Sequence, residues 1–178
     1  MDFELYDSSR PHEVKKLFTD VFTDSAGREE GELIGNLALE LQETTDPNDI
    51  FGFIAKDGNR IVGCLFFTRL IFEPPIEAFI LAPVAIATDY QKQGLGQKLI
   101  AFGIEHLKSI HVELVFTYGD PHFYSKTGFK PITEDVVKAP LKLSYPEGWL
   151  AQSLIGDKIE PISGSSQCVD ALNHPCYW

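Results

Sequence analysis

The sequence predicts a mixed α/β fold in a single domain, and three observations lead there. Helix-period apolar runs occupy the first 44 residues, a β-rich hairpin follows from Ile50, and a strand near residue 84 runs through a glycine-bearing turn into another helix. With 178 residues against about 150 per domain, one domain spanning 1–178 is expected.

Phe3 to Tyr6 alternates apolar and polar as a short strand would, Ser8 or Ser9 offers an N-cap, and Pro11 suits a first helical turn. Val14, Leu17, Phe18, Val21 and Phe22 then recur at helical spacing up to the break at Asp24-Ser-Ala-Gly27. Leu33, Ile34, Leu37, Leu39 and Leu41 mark a second helix. Phe51 to Lys56 and Arg60 to Phe72 flank Asp57-Gly58-Asn59, a strong hairpin signal. Ala78 to Ala87 reads as the next strand, with Pro83 demanding a bulge or an edge position because it lacks an N–H. A helix from Gly94 to about Ser109 carries Leu95, Leu99, Ile100, Phe102, Ile104 and Leu107, and Val112 to Tyr118 is an apolar strand. A short helix around Phe123 to Thr127, late strands at Phe129–Ile132 and Ala139–Tyr145, and one or two helical turns at Trp149–Leu154 complete the expectation.

Composition narrows the function. Asp plus Glu number 26 against 15 Lys plus Arg, a formal charge of −11, which opposes a phosphate-backbone binder and favours a cationic or amine-bearing partner. No run approaches ~18 apolar residues, and the acidic start Met1-Asp-Phe-Glu lacks the basic opening of a signal peptide. The three cysteines, Cys64, Cys168 and Cys176, fit a reducing compartment. A cytoplasmic protein with no nucleic-acid and no membrane partner is expected.

The segment richest in chemistry is Val84-Ala-Ile-Ala-Thr-Asp-Tyr-Gln-Lys-Gln-Gly-Leu-Gly96. The first N–H groups of a helix have no internal partner and face the positive end of the macrodipole, so a strand–turn–helix of this kind can hold an anion without a basic patch. Gly94 and Gly96 let the backbone approach a ligand closely, or serve packing alone. The spelling lacks the Gly-Lys-Ser/Thr of a P-loop, and Leu99 stands where a dinucleotide fingerprint needs its third glycine.

Gln91-Lys-Gln-Gly-Leu-Gly96 resembles the Gln/Arg-x-x-Gly-x-Gly/Ala motif of the GNAT superfamily of N-acetyltransferases, preceded by a strand ending Ala82-Pro-Val-Ala-Ile-Ala87. Downstream, Tyr124-Ser-Lys-Thr-Gly-Phe129 resembles the family's Tyr-x-x-x-Gly-Phe, and Gly119 to Phe129 as a whole is similar to a bacterial branch of such acetyltransferases. The resemblance covers about residues 3–145, leaving 146–178 as a C-terminal extension. It implies a central, mostly antiparallel mixed sheet flanked by helices and opened between its fourth and fifth strands to admit acetyl-CoA. It also implies a bulge in the fourth strand near Pro83.

By the same resemblance the coenzyme-binding set is Val84, Ala85, Ile86, Gln91, Lys92, Gln93, Gly94, Leu95, Gly96 and Gln97. Backbone groups of Val84 and Ile86 pair with the pantetheine arm, and N–H groups from Lys92 through Gln97 hold the pyrophosphate. Lys92 and Lys98 either add charge there or are solvated. Tyr124 takes the position of a general acid near the coenzyme sulfur, or packs the last helix onto the sheet. Acetyl transfer needs a neutral amine, and deprotonating one of pKa about 10.4 costs about 4.6 kcal/mol at pH 7. Many family members place a carboxylate where this chain has apolar Ile80. Glu77, Glu113, Asp120 and His122 are candidate bases, each with an ordinary structural reading, and none is assigned. Cys168, His174 and Cys176 match no standard zinc spacing, so no metal is expected.

The function expected is direct acetyl transfer from acetyl-CoA to a primary amine of a small molecule or protein. The rival is a non-catalytic acyl-CoA-binding sensor. A homodimer is expected by analogy with the family.

Overall fold

The computed structural model describes residues 1–178 and shows a mixed α/β architecture. Its strands are β1 (Asp2–Tyr6), β2 (Ile50–Asp57), β3 (Arg60–Arg69), β4 (Ala78–Ile86), β5 (Leu114–Tyr118), β6 (Lys130–Pro131) and β7 (Trp149–Ser153). They form one mostly antiparallel sheet in the order β1-β2-β3-β4-β5-β7-β6. The helices are α1 (Pro11–Ala26), α2 (Arg28–Thr44), α3 (Leu95–Ser109) and the single-turn α4 (Pro121–Tyr124). By backbone contacts the chain divides into two units: Met1–Phe67 with Pro83–Ile104, and Thr68–Ala82 with Glu105–Trp178.

In the first unit β1 pairs antiparallel with β2, from Asp2↔Lys56 to Tyr6↔Gly52. Val14, Leu17, Phe18 and Val21 of α1 and Ile34, Leu37, Ala38 and Leu41 of α2 are the buried positions their helical spacing selects. Pro11 opens α1 as expected. The residue before the helix is Arg10, which makes no side-chain cap, so neither Ser8 nor Ser9 serves that purpose. Phe66 lies 6.1 Å from Phe18, and Phe53 lies 6.0 Å from Phe67 and 5.9 Å from Phe102, centroid to centroid. These rings root the first part of α3 in the core of its own unit.

In the second unit the start of β4 pairs parallel with β5, from Ala78↔Leu114 to Leu81↔Thr117. Pro83 falls beyond the last of these pairs. Leu70 N–H donates to Ala78 O at 2.9 Å and Ala87 N–H to Val62 O at 2.8 Å. Between these bonds β3 advances from Val62 to Leu70 while β4 advances from Ala78 to Ala87, one residue further. The extra residue is the signature of a β-bulge, in the stretch that contains Pro83.

The last third of the chain differs from expectation. Ala139–Tyr145 is irregular, and the expected late strand at Phe129–Ile132 shrinks to Lys130–Pro131. Trp149–Ser153 is a strand instead of helical turns, antiparallel to β5 from Leu114↔Ser153 to Tyr118↔Trp149. β5 has apolar residues on both faces and a second edge to fill, and Trp149 stacks on Phe116 at 5.2 Å and 20°. Pro140 lacks the N–H that a strand there would need to donate. The segment expected as an extension thus supplies a strand paired on both sides, between β5 and β6, and its end returns: Trp178 meets Trp149 at 6.2 Å and Tyr118 at 5.8 Å, and its indole donates to Leu172 O at 2.8 Å.

Candidate functional site

In the first unit β4 ends at Ile86, a 3-10 turn covers Thr88–Tyr90, and α3 begins at Leu95. Two residues between them have left-handed backbones, Lys92 at φ 60° and Gly94 at φ 76°. Side-chain amides tie the turn to itself: Gln91 Nε2 donates to Ile86 O at 2.8 Å and Gln93 Nε2 to Asp89 O at 3.2 Å. The first helical bond is Lys98 N–H to Gly94 O at 3.1 Å, so the amides of Leu95, Gly96 and Gln97 have no partner within the helix. The first turn of α3 carries no acidic residue.

Leu95 is only 6% exposed and anchors the turn, so the backbone is what this segment offers. A Cβ added at Gly94 would meet no protein atom within 4 Å. That side is open, and the glycine is required by its positive φ rather than by crowding. Lys92, Gln93 and Lys98 are exposed. Upstream, Val84 and Ile86 are half-buried while Ala85, on the opposite face, is buried. The orphan amides, the open face at Gly94 and the absence of acidic side chains suit a phosphate-bearing ligand.

Tyr124 belongs to the second unit. Asp120 begins its helix, with Oδ1 accepting from His122 N–H at 2.9 Å, and Tyr124 N–H donates to Asp120 O at 3.1 Å. The Tyr124 ring meets Phe123 at 5.0 Å and Phe129 at 5.9 Å, both edge-on. A Cβ on Gly119 would lie 2.8 Å from Tyr124 Cε2, so Gly119 is the floor on which the ring rests. The residue as a whole is half-buried, but the surroundings of its hydroxyl push the phenol up to about 12. Burial is the main cause, the Thr117 side chain pulls the other way, and the Asp120 charge adds a smaller upward push. Thr117 is fully buried and its hydroxyl donates to Leu81 O at 2.9 Å, at the last β4–β5 pair.

Three of the four candidate bases have structural occupations. Glu77 pairs with Arg69 at 3.0 Å, and its N–H donates to Glu113 Oε2 at 3.0 Å. Asp120 is the cap of α4, and His122 is exposed. Ile80 is buried. No group of three or more His, Cys, Asp or Glu side chains is placed to hold a metal. Burial pushes the Cys168 thiol up to about 11, and Cys176 is exposed. Thr117 and Gly119 escape a reading of the sequence. The one signal available was a hydroxyl inside the otherwise apolar strand Leu114–Tyr118, which must find a partner once buried.

Residues 48–131 match the family model described as the acetyltransferase (GNAT) domain. An uncharacterized N-acetyltransferase of Escherichia coli strain K12, YjhQ, is 28% identical over 174 residues, covering 94% of this chain and 92% of that one. The crystal structure of E. coli YhbS, a GNAT family N-acetyltransferase in complex with CoA, superposes with a TM-score of 0.83 at 19% identity, covering 98% of this chain and 92% of that chain. A GNAT family acetyltransferase from Brucella melitensis in complex with acetyl-CoA gives 0.73 at 16% identity, covering 97% of each. Residues 48–131 thus carry the match to the GNAT acetyltransferase domain, within a fold shared with solved members of that family.

Proposed function

We propose that the protein transfers an acetyl group from acetyl-CoA to a primary amine by direct attack. The observation that carries this reading is the start of α3, where Leu95, Gly96 and Gln97 offer unpartnered amides beside the open face of Gly94. Solved relatives hold CoA and acetyl-CoA, which supports assigning that ligand here. The amides from Lys92 through Gln97 take the diphosphate, with Gln91 fixing the turn through Ile86 O, and the backbone of Val84, Ala85 and Ile86 pairs with the pantetheine arm.

In the transfer the amine nitrogen forms the new C–N bond, the thioester C–S bond breaks, and the amine gives up a proton to solvent. Tyr124 meets the leaving sulfur. At about 12 its phenol sits well above a thiol of about 8.5, so complete donation runs uphill. A hydrogen bond from the neutral phenol to the departing thiolate is its contribution. The acceptor is a small-molecule or protein amine, which the net charge of −11 would attract when protonated.

Calorimetric titration of acetyl-CoA into the wild type, Gly94→Glu and Gly94→Asn tests the coenzyme site. Asparagine tolerates the left-handed backbone, so it separates strain from the glutamate's charge and bulk. Binding by the wild type and loss only in Gly94→Glu support the assignment; indifference to both substitutions removes it. The engagement of Glu77, Glu113 and Asp120 elsewhere favours a second reading, a non-catalytic acyl-CoA sensor. Acetylation of any member of an amine panel decides against that.

A further inference from the structure

Just upstream of the turn into α3 the chain is held from three sides. Arg60, at the start of β3, holds Asp89 through two bonds, Nη1 to Oδ2 at 2.8 Å and Nη2 to Oδ1 at 3.2 Å, and its guanidinium lies 5.6 Å from the centroid of the Tyr90 ring. Tyr90 donates its hydroxyl to Asp57 Oδ2 at 2.6 Å, at the end of β2. Thr88 donates to Asp24 Oδ2 at 2.6 Å, in the last turn of α1. Stability does not explain this arrangement. The Arg60 and Asp89 side chains are each 57% exposed, and exposed pairs contribute little to folding. What the network fixes is a position, because contacts from the ends of α1 and β2 and the start of β3 converge on Thr88–Tyr90.

One bond carries that grip into the turn itself. The Asp89 carboxylate faces Arg60, while the carbonyl oxygen of the same residue accepts from Gln93 Nε2 at 3.2 Å. Gln93 directly precedes Gly94 and the amides of Leu95, Gly96 and Gln97, which have no partner within the helix. Lys92 lies between Asp89 and Gln93 in sequence, and its backbone is left-handed at φ 60°. A glycine adopts that region freely, as Gly94 does, but a lysine occupies it only where its surroundings over-determine it. The bonds that Asp89 and Gln93 make on either side of Lys92 are such surroundings.

We propose that Arg60 and Asp89, with Tyr90 and Asp57 behind them, are positioning residues that hold the backbone from Lys92 to Gln97 in its binding form before acetyl-CoA arrives. The proposal rests on the acetyl-CoA reading above. Arg60 and Asp89 act through Asp89 O and Gln93 rather than on the ligand, and binding is spared the cost of ordering the turn.

Wild type, Arg60→Met, Asp89→Ala and the double variant test it by two measurements. In the unliganded proteins, amide nitrogen relaxation reports the mobility of Lys92–Gln97 directly; the turn is expected to be ordered in the wild type and mobile in all three variants. Calorimetric titration should find acetyl-CoA bound about tenfold more weakly by Arg60→Met, about the effect of having to order one backbone residue. Asp89→Ala should lose as much, and the double variant no more than either, since the two residues act as one unit. Arg60→Lys, which keeps the charge without the fork, should fall between wild type and Arg60→Met. Melting temperatures should stay within about 3 °C across the set, as for any exposed pair. A turn that stays ordered in Arg60→Met, a turn that loosens with no change in Kd, losses that add in the double variant, or weakening that follows melting temperature each overturns the positioning role while the coenzyme assignment stands. Failure of the wild type to bind acetyl-CoA at all overturns both.

Discussion

At Tyr124 the environment decides the kind of catalysis available. A phenol held at about 12 remains a neutral donor through every pH at which an amine substrate is useful, so in the proposed transfer it would contribute a hydrogen bond rather than a free proton. Tyr124→Phe should therefore lower kcat by about tenfold or more, the effect of one hydrogen bond to a developing charge, with KM for acetyl-CoA within twofold. Steady-state kinetics with both substrates varied would check this, and an unchanged kcat would return Tyr124 to a packing role. The pH profile of kcat should show no descending limb from the phenol below about pH 11; a limb near pH 9 that disappears in Tyr124→Phe would contradict it. Gln91, Gly94 and Tyr124 could be singled out in the sequence because they stand in motifs that resemble those of a known family. Thr117 acts through neighbours 36 and seven residues away, Leu81 and Tyr124, and only folding brings these together.

Among the elements, β5 and the single turn of α4 set the surroundings of Tyr124. The close approach of Gly119 to the Tyr124 ring means that Gly119→Ala must move the ring, because a contact of 2.8 Å to a Cβ cannot persist. The expected result is a fall in kcat with an unaltered Kd for acetyl-CoA; loss of both in equal measure would mean that the substitution disturbs more than the tyrosine. The first six strands and all four helices were readable from apolar period and turn residues, with ends displaced by a few positions. β7 was not, since Trp149-Leu-Ala-Gln-Ser153 is too short to show a period and ambiguous in propensity. Its conformation follows from the vacant edge of β5 and from Phe116, neither of which is local to it. The acceptor side of the reaction was equally illegible, because no residue pattern specifies an amine.

For the molecule as a whole, two buried phenols set its tolerance of alkali. Burial raises Tyr6, as it does Tyr124, to about 12, against about 10 for an unfolded tyrosine. Folding favours their protonated forms, so this contribution is complete below about pH 10 and disappears as pH rises through 12. Urea midpoints should stay level in this respect up to about pH 10 and fall beyond it, less steeply in Tyr6→Phe or Tyr124→Phe; an identical slope in both variants would dissociate the tyrosines from the effect. The tail is a second determinant. Trp178 is 5% exposed and packed between Trp149 and Tyr118, so Trp178→Ala should cost about 3 kcal/mol by chemical denaturation, and a loss under 1 kcal/mol would show the tail to be dispensable.

The position of the two indoles also gives the protein a built-in pair of reporters. Both of its tryptophans stand in the second unit, whereas α1 and α2 lie wholly in the first, as does most of α3. Intrinsic emission therefore follows the loosening of one half of the chain and far-ultraviolet ellipticity mainly the other, with no label attached. Superimposable denaturation curves from the two signals would mean that the halves melt as a single cooperative body. Separated curves would order them, and ligand added during the same experiment would reveal which half it braces.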